Sequence, residues 1–235
     1  MSKLIKAFAI TCLVLLFSPH IYGQSPHSED RAHDFESKGV GLTETLLKFS
    51  DQQHLPIVIE YVDSDSMNRP IDISLRNETI AQALDSILSH GQGYAWTLRN
   101  GIIEIKNKHS SKRAEAQLNT VIPLFDIPPG MVVHVTSAFL WTELQVALDP
   151  KHAQRGYCCG FLGSSSTVKP TTLKNQTVRQ ILSYIILNSR AHGWIVAGPP
   201  KCLGFTPYCG LWYVMEGESD GTSYETVLPK VRENL

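Results

Sequence analysis

Two stretches decide the fold: SLRNETIAQALDSILSHGQGYAWTL at residues 74–98 and TLKNQTVRQILSYIILNSRAHGWIV at residues 172–196. The second repeats the first at a constant offset of 98 residues, without a gap. Seven positions are identical, and several others exchange residues of similar character. The identical pairs are Leu75/Leu173, Asn77/Asn175, Thr79/Thr177, Gln82/Gln180, Leu84/Leu182, Ile87/Ile185 and Trp96/Trp194. Such a repeat indicates two copies of one supersecondary unit.

Each copy carries the start signal of a helix. Thr79 and Thr177 are both followed three residues later by a glutamine, so that hydroxyl and amide can satisfy backbone donors reciprocally. Behind each threonine the apolar residues recur at the i, i+3, i+4, i+7, i+8 spacing of one buried helix face. They are Ile80, Ala83, Leu84, Ile87 and Leu88, then Val178, Ile181, Leu182, Ile185 and Ile186. We therefore predict two helices capped by Thr79 and Thr177, each leading into a tryptophan-bearing strand.

The two copies differ in the turn that follows this strand. In the first copy the sequence WTLR-NG-IIEI contains an Asn-Gly pair, a strong signal for a type I′ hairpin. In the second copy the turn becomes AGPPKCLGFTPYCG, ahead of a predicted strand at 211–215. We predict that this enlarged loop is a candidate binding loop. Its candidate residues are Pro199, Pro200, Phe205, Tyr208 and Trp212.

Upstream, each half offers a second helix and a further strand. The helices are indicated by Leu42, Leu46 and Phe49 and by Leu140, Leu144 and Ala147. The strands are IVIEY at 57–61 and YCCGFL at 157–162. We predict an α+β fold of two tandem small modules, each with two helices packed on short mixed sheets in βαββαββ order. The predicted ranges are a flexible tail at 24–34, module 1 at 35–107, a polar linker at 108–119, module 2 at 120–216 and a flexible tail at 217–235.

The first half resembles the short N-terminal domain of secretins and TonB-dependent receptors. The resemblance covers about residues 35–106 and rests on GLTETLLKFSDQQHLPIVIEY followed by DISLRNETIAQALDSILSHGQGYAWTLRNGIIEI. The second half resembles this domain only through the repeat. The resemblance implies an opening helix, an exposed strand, a capped helix and a closing hairpin. It also implies a non-enzymatic role, in which the module docks on inner-membrane or signalling proteins in the periplasm.

Residues 1–23, MSKLIKAFAITCLVLLFSPHIYG, have the layout of a signal peptide. Lys3 and Lys6 precede an apolar run of about eleven residues, whereas a membrane-spanning helix needs about 20. We therefore expect an exported protein that is periplasmic, outer-membrane associated or secreted, with no stable anchor after cleavage. Retention of the segment as an anchor is the alternative. Removing it leaves 19 basic against 22 acidic residues, a balance that argues against a nucleic-acid partner.

Four cysteines remain beyond the signal segment, all in the second half: Cys158, Cys159, Cys202 and Cys209. In an exported protein they are expected to form disulfides, and bridges from the 158/159 pair to the 202/209 loop avoid a strained ring between adjacent cysteines. Three pairings are possible. A four-thiolate zinc site is the alternative, but zinc ligands are usually spaced two to four residues apart. We predict two structural disulfides, no metal and no cofactor.

Other candidate chemistry has a structural explanation. No histidine pair has the spacing of a metalloenzyme motif. Asn77 and Asn175 begin glycosylation sequons, but they also stand at repeat-equivalent helix starts, where Asn and Thr are favoured. A nucleophile elbow is absent around Ser164. Several aromatic residues could form a binding platform, although core packing is their commoner use. They are Trp141, Trp194, Tyr208, Trp212 and Tyr213.

These observations predict a non-catalytic interaction module that binds envelope proteins through a sheet edge or the 197–210 loop. We expect it to serve secretion, outer-membrane transport or a surface-signalling assembly. The alternative is an exported hydrolase or carbohydrate-active protein with a cleft between the modules. Its first candidate acids are Asp126, Glu143 and Asp149.

Overall fold

The computed structural model describes residues 29–109, 112–151, 166–197 and 212–216. The predicted α+β class is confirmed, because helices and strands alternate along both halves. Some predictions lie outside the described residues. They concern the signal peptide, the strand at 157–162, all four cysteines, residues 198–211 of the enlarged loop and the tail at 217–235.

The first half follows the predicted order, with one extra short helix. That helix begins because the Asp63 carboxylate accepts a hydrogen bond of 2.7 Å from the Ser66 N–H, a cap that the apolar pattern did not reveal. The elements are β1 (Phe35–Gly41), α1 (Leu42–Gln52), β2 (Ile57–Val62), α2 (Ser64–Asn68), β3 (Pro70–Leu75), α3 (Ile80–Leu88), β4 (Tyr94–Arg99) and β5 (Ile102–Asn107).

The second half repeats this plan in its described part. A helix lies inside the predicted linker at 108–119, and the helix upstream of the repeat buries Leu140 and Leu144 but leaves Ala147 exposed. The elements are α4 (Lys112–Leu118), β6 (Val121–Ile127), α5 (Val133–Leu148), β7 (Thr171–Thr177), α6 (Val178–Leu187), β8 (Ala191–Ala197) and β9 (Trp212–Glu216). No helix among the described residues is long and apolar enough to cross a membrane.

Both predicted capping boxes are formed. The Thr79 hydroxyl accepts from the Gln82 N–H at 3.2 Å, and the Gln82 side chain accepts from the Thr79 N–H at 2.9 Å. The box at Thr177 has the same two bonds, at 3.2 Å and 2.8 Å. Asn77 and Asn175 have φ of 55° and 52°, a left-handed conformation that asparagine tolerates. The repeat therefore places Asn and Thr where the backbone needs them.

Strands of both halves form one five-stranded sheet, in the order β4-β5-β2-β8-β9. β2 lies at its centre, parallel to β5 of its own half and parallel to β8 of the other half. All six residues of β2 are buried. The exposed strand implied by the resemblance is therefore wrong for β2, because β8 pairs with the edge that would otherwise be open. Two further sheets, β1-β3 and β6-β7, are antiparallel pairs.

The described residues form five layers with the shared sheet in the middle. On one face α1 and α3 separate the shared sheet from the β1-β3 pair, and these layers enclose the first hydrophobic core. On the other face α5 and α6 lie between the shared sheet and the β6-β7 pair, around a second core. Ile57 and Ile59 of β2 enter the first core, whereas Val58 and Tyr61 enter the second. Each half thus covers one face of a sheet that both halves build.

Candidate protein-interaction edge

β4 lies at one edge of the shared sheet and pairs only with β5 in the described part of the chain. The Lys108 N–H donates to the Gly93 C=O at 2.7 Å, which makes this a hydrogen-bonded pair. Because such pairs alternate along an antiparallel ladder, the N–H and C=O groups of Tyr94, Trp96 and Leu98 point away from β5. β4 therefore presents a row of backbone donors and acceptors at the sheet edge.

The predicted type I′ turn holds β4 against β5. Asn100 and Gly101 have φ of 53° and 78°, as both central residues of this turn require. Arg99 consequently lies opposite Ile102, and the register continues without interruption to Tyr94 opposite Asn107. The pairing of β4 with β5 is therefore regular over six residues.

The start of β4 is anchored by the buried Tyr94 hydroxyl. It donates to the Tyr61 C=O at 3.3 Å, lies 3.0 Å from the Ser66 hydroxyl and accepts from the Asp63 N–H at 3.4 Å. Asn107 also donates to the Tyr61 C=O, at 3.4 Å. Burial raises the pKa of Tyr94, with a further contribution from the Asp63 charge, while the Ser66 hydrogen bond opposes the shift. This network ties the start of β4 to the end of β2 and to α2.

A shallow groove runs beside β4, between this strand and α3. Its cavity volume is about 350 Å³, and it is lined by Asp85, Leu88, Ser89 and Trp96 together with neighbouring β4 residues. The Trp96 indole N–H donates to the Asp85 carboxylate at 2.7 Å, which holds the half-buried ring along the strand. The edge thus combines free backbone groups with an adjacent aromatic and aliphatic surface.

A second concavity lies between α2 and the residues that follow the end of α3. It is lined by Asp63, Ser66, Arg69 and His90, among others, but its cavity volume is only about 20 Å³. A space of this size holds on the order of one water molecule. The groove beside β4 is the larger of these two concavities.

A charged group, the junction cluster, connects the two halves on the second-core face of the sheet. It consists of Glu60, Lys106, Glu115, Asn119 and Arg179. Arg179 donates to both carboxylate oxygens of Glu60, at 2.6 Å and 3.1 Å, and contacts Glu115 at 3.3 Å. Arg179 also donates to Asn119. Lys106 reaches Glu115 at 2.7 Å.

The Glu60 side chain is only 6% exposed, so the bidentate arginine is what makes its burial tolerable. Burial is the largest influence on the pKa of Arg179 and lowers it, but Glu60 and Glu115 together raise it above its ordinary value. Sequence reasoning missed this cluster. The only local signal was one glutamate inside the apolar run IVIEYV.

The three acids of the hydrolase alternative do not lie together in either concavity. Asp126 is exposed on β6 and accepts from the Thr172 hydroxyl at 2.7 Å. Glu143 is half-buried on α5, and Asp149 follows the end of that helix, where it accepts from the Lys151 N–H at 3.2 Å. The structure therefore places them at separate positions along β6 and α5.

The other predicted site residues divide between the core and the undescribed part. Trp194 is fully buried in the second core, and the half-buried Trp141 packs against that core. Trp212 is the first residue of β9. The remaining loop candidates lie outside the described residues, namely Pro199, Pro200, Phe205 and Tyr208, as do the four cysteines. Among the described residues no group of three or more His, Cys, Asp or Glu side chains could hold a metal ion.

Comparisons with protein-family models, with characterised proteins and with solved structures found no match to this chain.

Proposed function

We propose that this protein is a non-catalytic interaction module of the cell envelope that binds an extended segment of a partner protein at the β4 edge. The single observation that carries the proposal is this edge, with its outward backbone groups and the groove beside it. An exposed regular edge is a template for another strand, and proteins use such edges in recognition by strand addition.

Three features of β4 support recognition at this edge. The strand is held rigidly by the Asn-Gly turn at one end and by Tyr94 at the other. Natural edges are often blocked by proline, a bulge or a central lysine, and YAWTLR has none of these. The groove supplies Leu88 and Trp96 to contact alternate side chains of an added strand.

The envelope location rests on the signal-like segment at 1–23, and the resemblance of residues 35–106 to the short N-terminal domain of secretins favours the same location. That resemblance also favours a partner in a secretion, outer-membrane transport or surface-signalling assembly. The candidate loop at 197–210 stays a second proposed contact of the same module.

Site-specific photocrosslinking in intact cells tests the proposal. A benzoylphenylalanine at Thr97, an exposed residue of β4, is expected to capture a discrete partner through an extended stretch of its chain. The matched control places the same group at Thr172, which is exposed on β7 in the other half. Equal capture at both positions, or no adduct at Thr97, would contradict the proposal.

A pair of proline substitutions separates the edge from the fold. Leu98→Pro removes a backbone N–H that points outward, so we expect it to abolish the Thr97 adduct while the protein stays folded. Thr97→Pro removes an N–H that bonds within the β4-β5 ladder, and leaving that acceptor unpaired should cost about 1–3 kcal/mol of stability. Binding that survives Leu98→Pro would place the contact elsewhere.

A further inference from the structure

The two halves contain the same strand twice, and among the described residues only one copy has a strand against its outer edge. Trp96 of β4 and Trp194 of β8 are equivalent positions of the repeat, 98 residues apart. Each strand follows a helix that begins with the same capping box, and each pairs antiparallel on one side with the next strand of its own half. The other edge of β8 is paired with β2, and the other edge of β4 has no strand against it in the described part of the chain.

The two tryptophans differ in burial, in line with the covered edge of β8 and the open edge of β4. Trp194 is 0% exposed, whereas Trp96 is only half-buried. Val58 of β2 lies opposite Trp194 and shares the second core with it. The strand paired with β8 therefore indicates which kind of strand would fit the open edge of β4.

The strand that fills the β8 edge runs parallel to it and carries β-branched aliphatic residues. The paired residues are Val58 with Trp194, Ile59 with Ile195, and Glu60 with Val196. A shift of 98 residues transfers these three positions of β8 to Trp96, Thr97 and Leu98 of β4. Gly193 stands at an irregularity of β8 that β4 lacks, so the correspondence begins at Trp96.

The surroundings of β4 determine which side chains an added strand needs. β2 is buried on both faces because helices of both halves cover it. At β4 the groove lies on the α3 side, the exposed Ala95 borders it, and Thr97 is also exposed. An added strand therefore needs an apolar residue facing the groove and polar residues at the alternate positions.

Resting on the proposed function, we infer that the β4 edge takes an extended segment of a partner protein that runs parallel to β4 and places a β-branched aliphatic residue opposite Trp96. The chain provides a natural probe for this geometry, because β2 itself fills the equivalent edge. A synthetic peptide with residues 55–62, LPIVIEYV, flanked by lysines for solubility, mimics that strand.

Paramagnetic labels on this peptide test the orientation, with the purified protein observed by NMR. A nitroxide at the peptide N-terminus should broaden the amide signal of Tyr94, and one at the C-terminus should broaden that of Arg99. A peptide with aspartate in place of Val58 should bind about tenfold more weakly or worse, because a charge would be buried beside Trp96. The Leu98→Pro protein should not bind the peptide.

Several results would overturn the inference. The opposite broadening pattern would show antiparallel addition, which leaves the proposed edge site standing but not its parallel geometry. Shifts confined to β8 would show that the peptide displaces β2. Absence of any shift in β4 at about 1 mM peptide excludes the proposed occupant, and the Thr97 crosslink in cells still tests the edge site independently. A protein dimer that Leu98→Pro dissociates would show that a second copy covers the edge.

Discussion

Tyr61 of β2 has a strained, left-handed backbone. It has φ of 67°, a conformation that costs a residue other than Gly, Asn or Asp about 1–3 kcal/mol, and it lies at the irregularity where β2 leaves its register with β8. The conformation turns the Tyr61 C=O toward the Tyr94 hydroxyl and Asn107, while its ring enters the second core. The strain is offset by contacts on both faces of the sheet.

Replacing the two buried tyrosines should give opposite results. The Tyr61 hydroxyl is buried and has no hydrogen-bond partner among the described residues, so Tyr61→Phe should leave stability unchanged or raise it by up to about 1 kcal/mol. Tyr94→Phe removes bonds to Ser66 and Tyr61 and should cost about 0.5–1.5 kcal/mol. Urea denaturation measures both. A clear loss in Tyr61→Phe would mean that its hydroxyl is paired.

Glu115 should make stability depend on pH. Burial opposes its ionisation, but hydrogen bonds from Lys106 and Asn119 and the charge of Arg179 hold its pKa below the ordinary value of 4.5. A lowered pKa stabilises the folded state above the unfolded value, and this contribution is lost as the pH falls through the folded value. We expect wild type to exceed Glu115→Gln in stability at pH 7 by up to about 1 kcal/mol. That difference should disappear well below pH 4.5, and a constant difference would contradict the assignment.

At the scale of the element, the two capping boxes allow the same experiment twice in one molecule. Thr79→Ala and Thr177→Ala should each cost about 1 kcal/mol, because each removes the acceptor for a backbone N–H at a helix start. The effects should add in the double variant, because the two caps share no contact. Thr97→Ala, on an exposed strand position, should change stability by less than about 0.5 kcal/mol.

Thermal or urea unfolding measures these variants. If the alanine replacement at either cap left the stability unchanged, that capping box would not support its helix. A double variant that lost much more than the sum would show instead that the two helices depend on each other through the shared sheet.

At the scale of the whole molecule, the Glu60–Arg179 pair joins residues 119 positions apart, from opposite halves. Glu60→Leu or Arg179→Met alone leaves a largely buried charge without its partner and should cost about 3 kcal/mol or more. The double variant should lose less than the sum, since it leaves neither charge buried alone. Additive losses in a double-mutant cycle would show that the pair is not coupled.

A substitution at Gly193 tests the pairing of β8 with β2, because a larger side chain would not fit between the two strands. A Cβ at this position would lie 1.9 Å from the Ile57 carbonyl oxygen, so Gly193→Ala should force β8 away from β2. We expect faster hydrogen exchange in both strands and a loss of stability. The matched control is Ala95→Gly at the equivalent position of the open edge, where only the modest cost of glycine in a strand is expected, about 1 kcal/mol. Unchanged exchange in Gly193→Ala would contradict the observed pairing.

The local features of both halves could be predicted because neighbouring residues determine them. The threonine caps, the apolar helix faces and the Asn-Gly turn each depend on side chains a few positions apart. The identical Asn77 and Asn175 are explained by a left-handed backbone that each needs for its own local geometry. Even the extra helix at Ser64–Asn68 has a local cap, Asp63, which was overlooked because the helix is too short to show an apolar period.

The sequence by itself thus determined the repeat, the caps, the hairpin and the α+β class. Only the tertiary structure decided that the halves share a sheet, that Glu60 meets Arg179, and that β4 rather than β8 keeps an open edge. The run IVIEY at 57–61 predicted a strand, but an apolar run does not specify which strands lie beside it. Pairing between parallel strands whose partners lie 136 positions apart, such as Val58 and Trp194, depends on how whole layers pack, and that leaves no local periodicity to recognise.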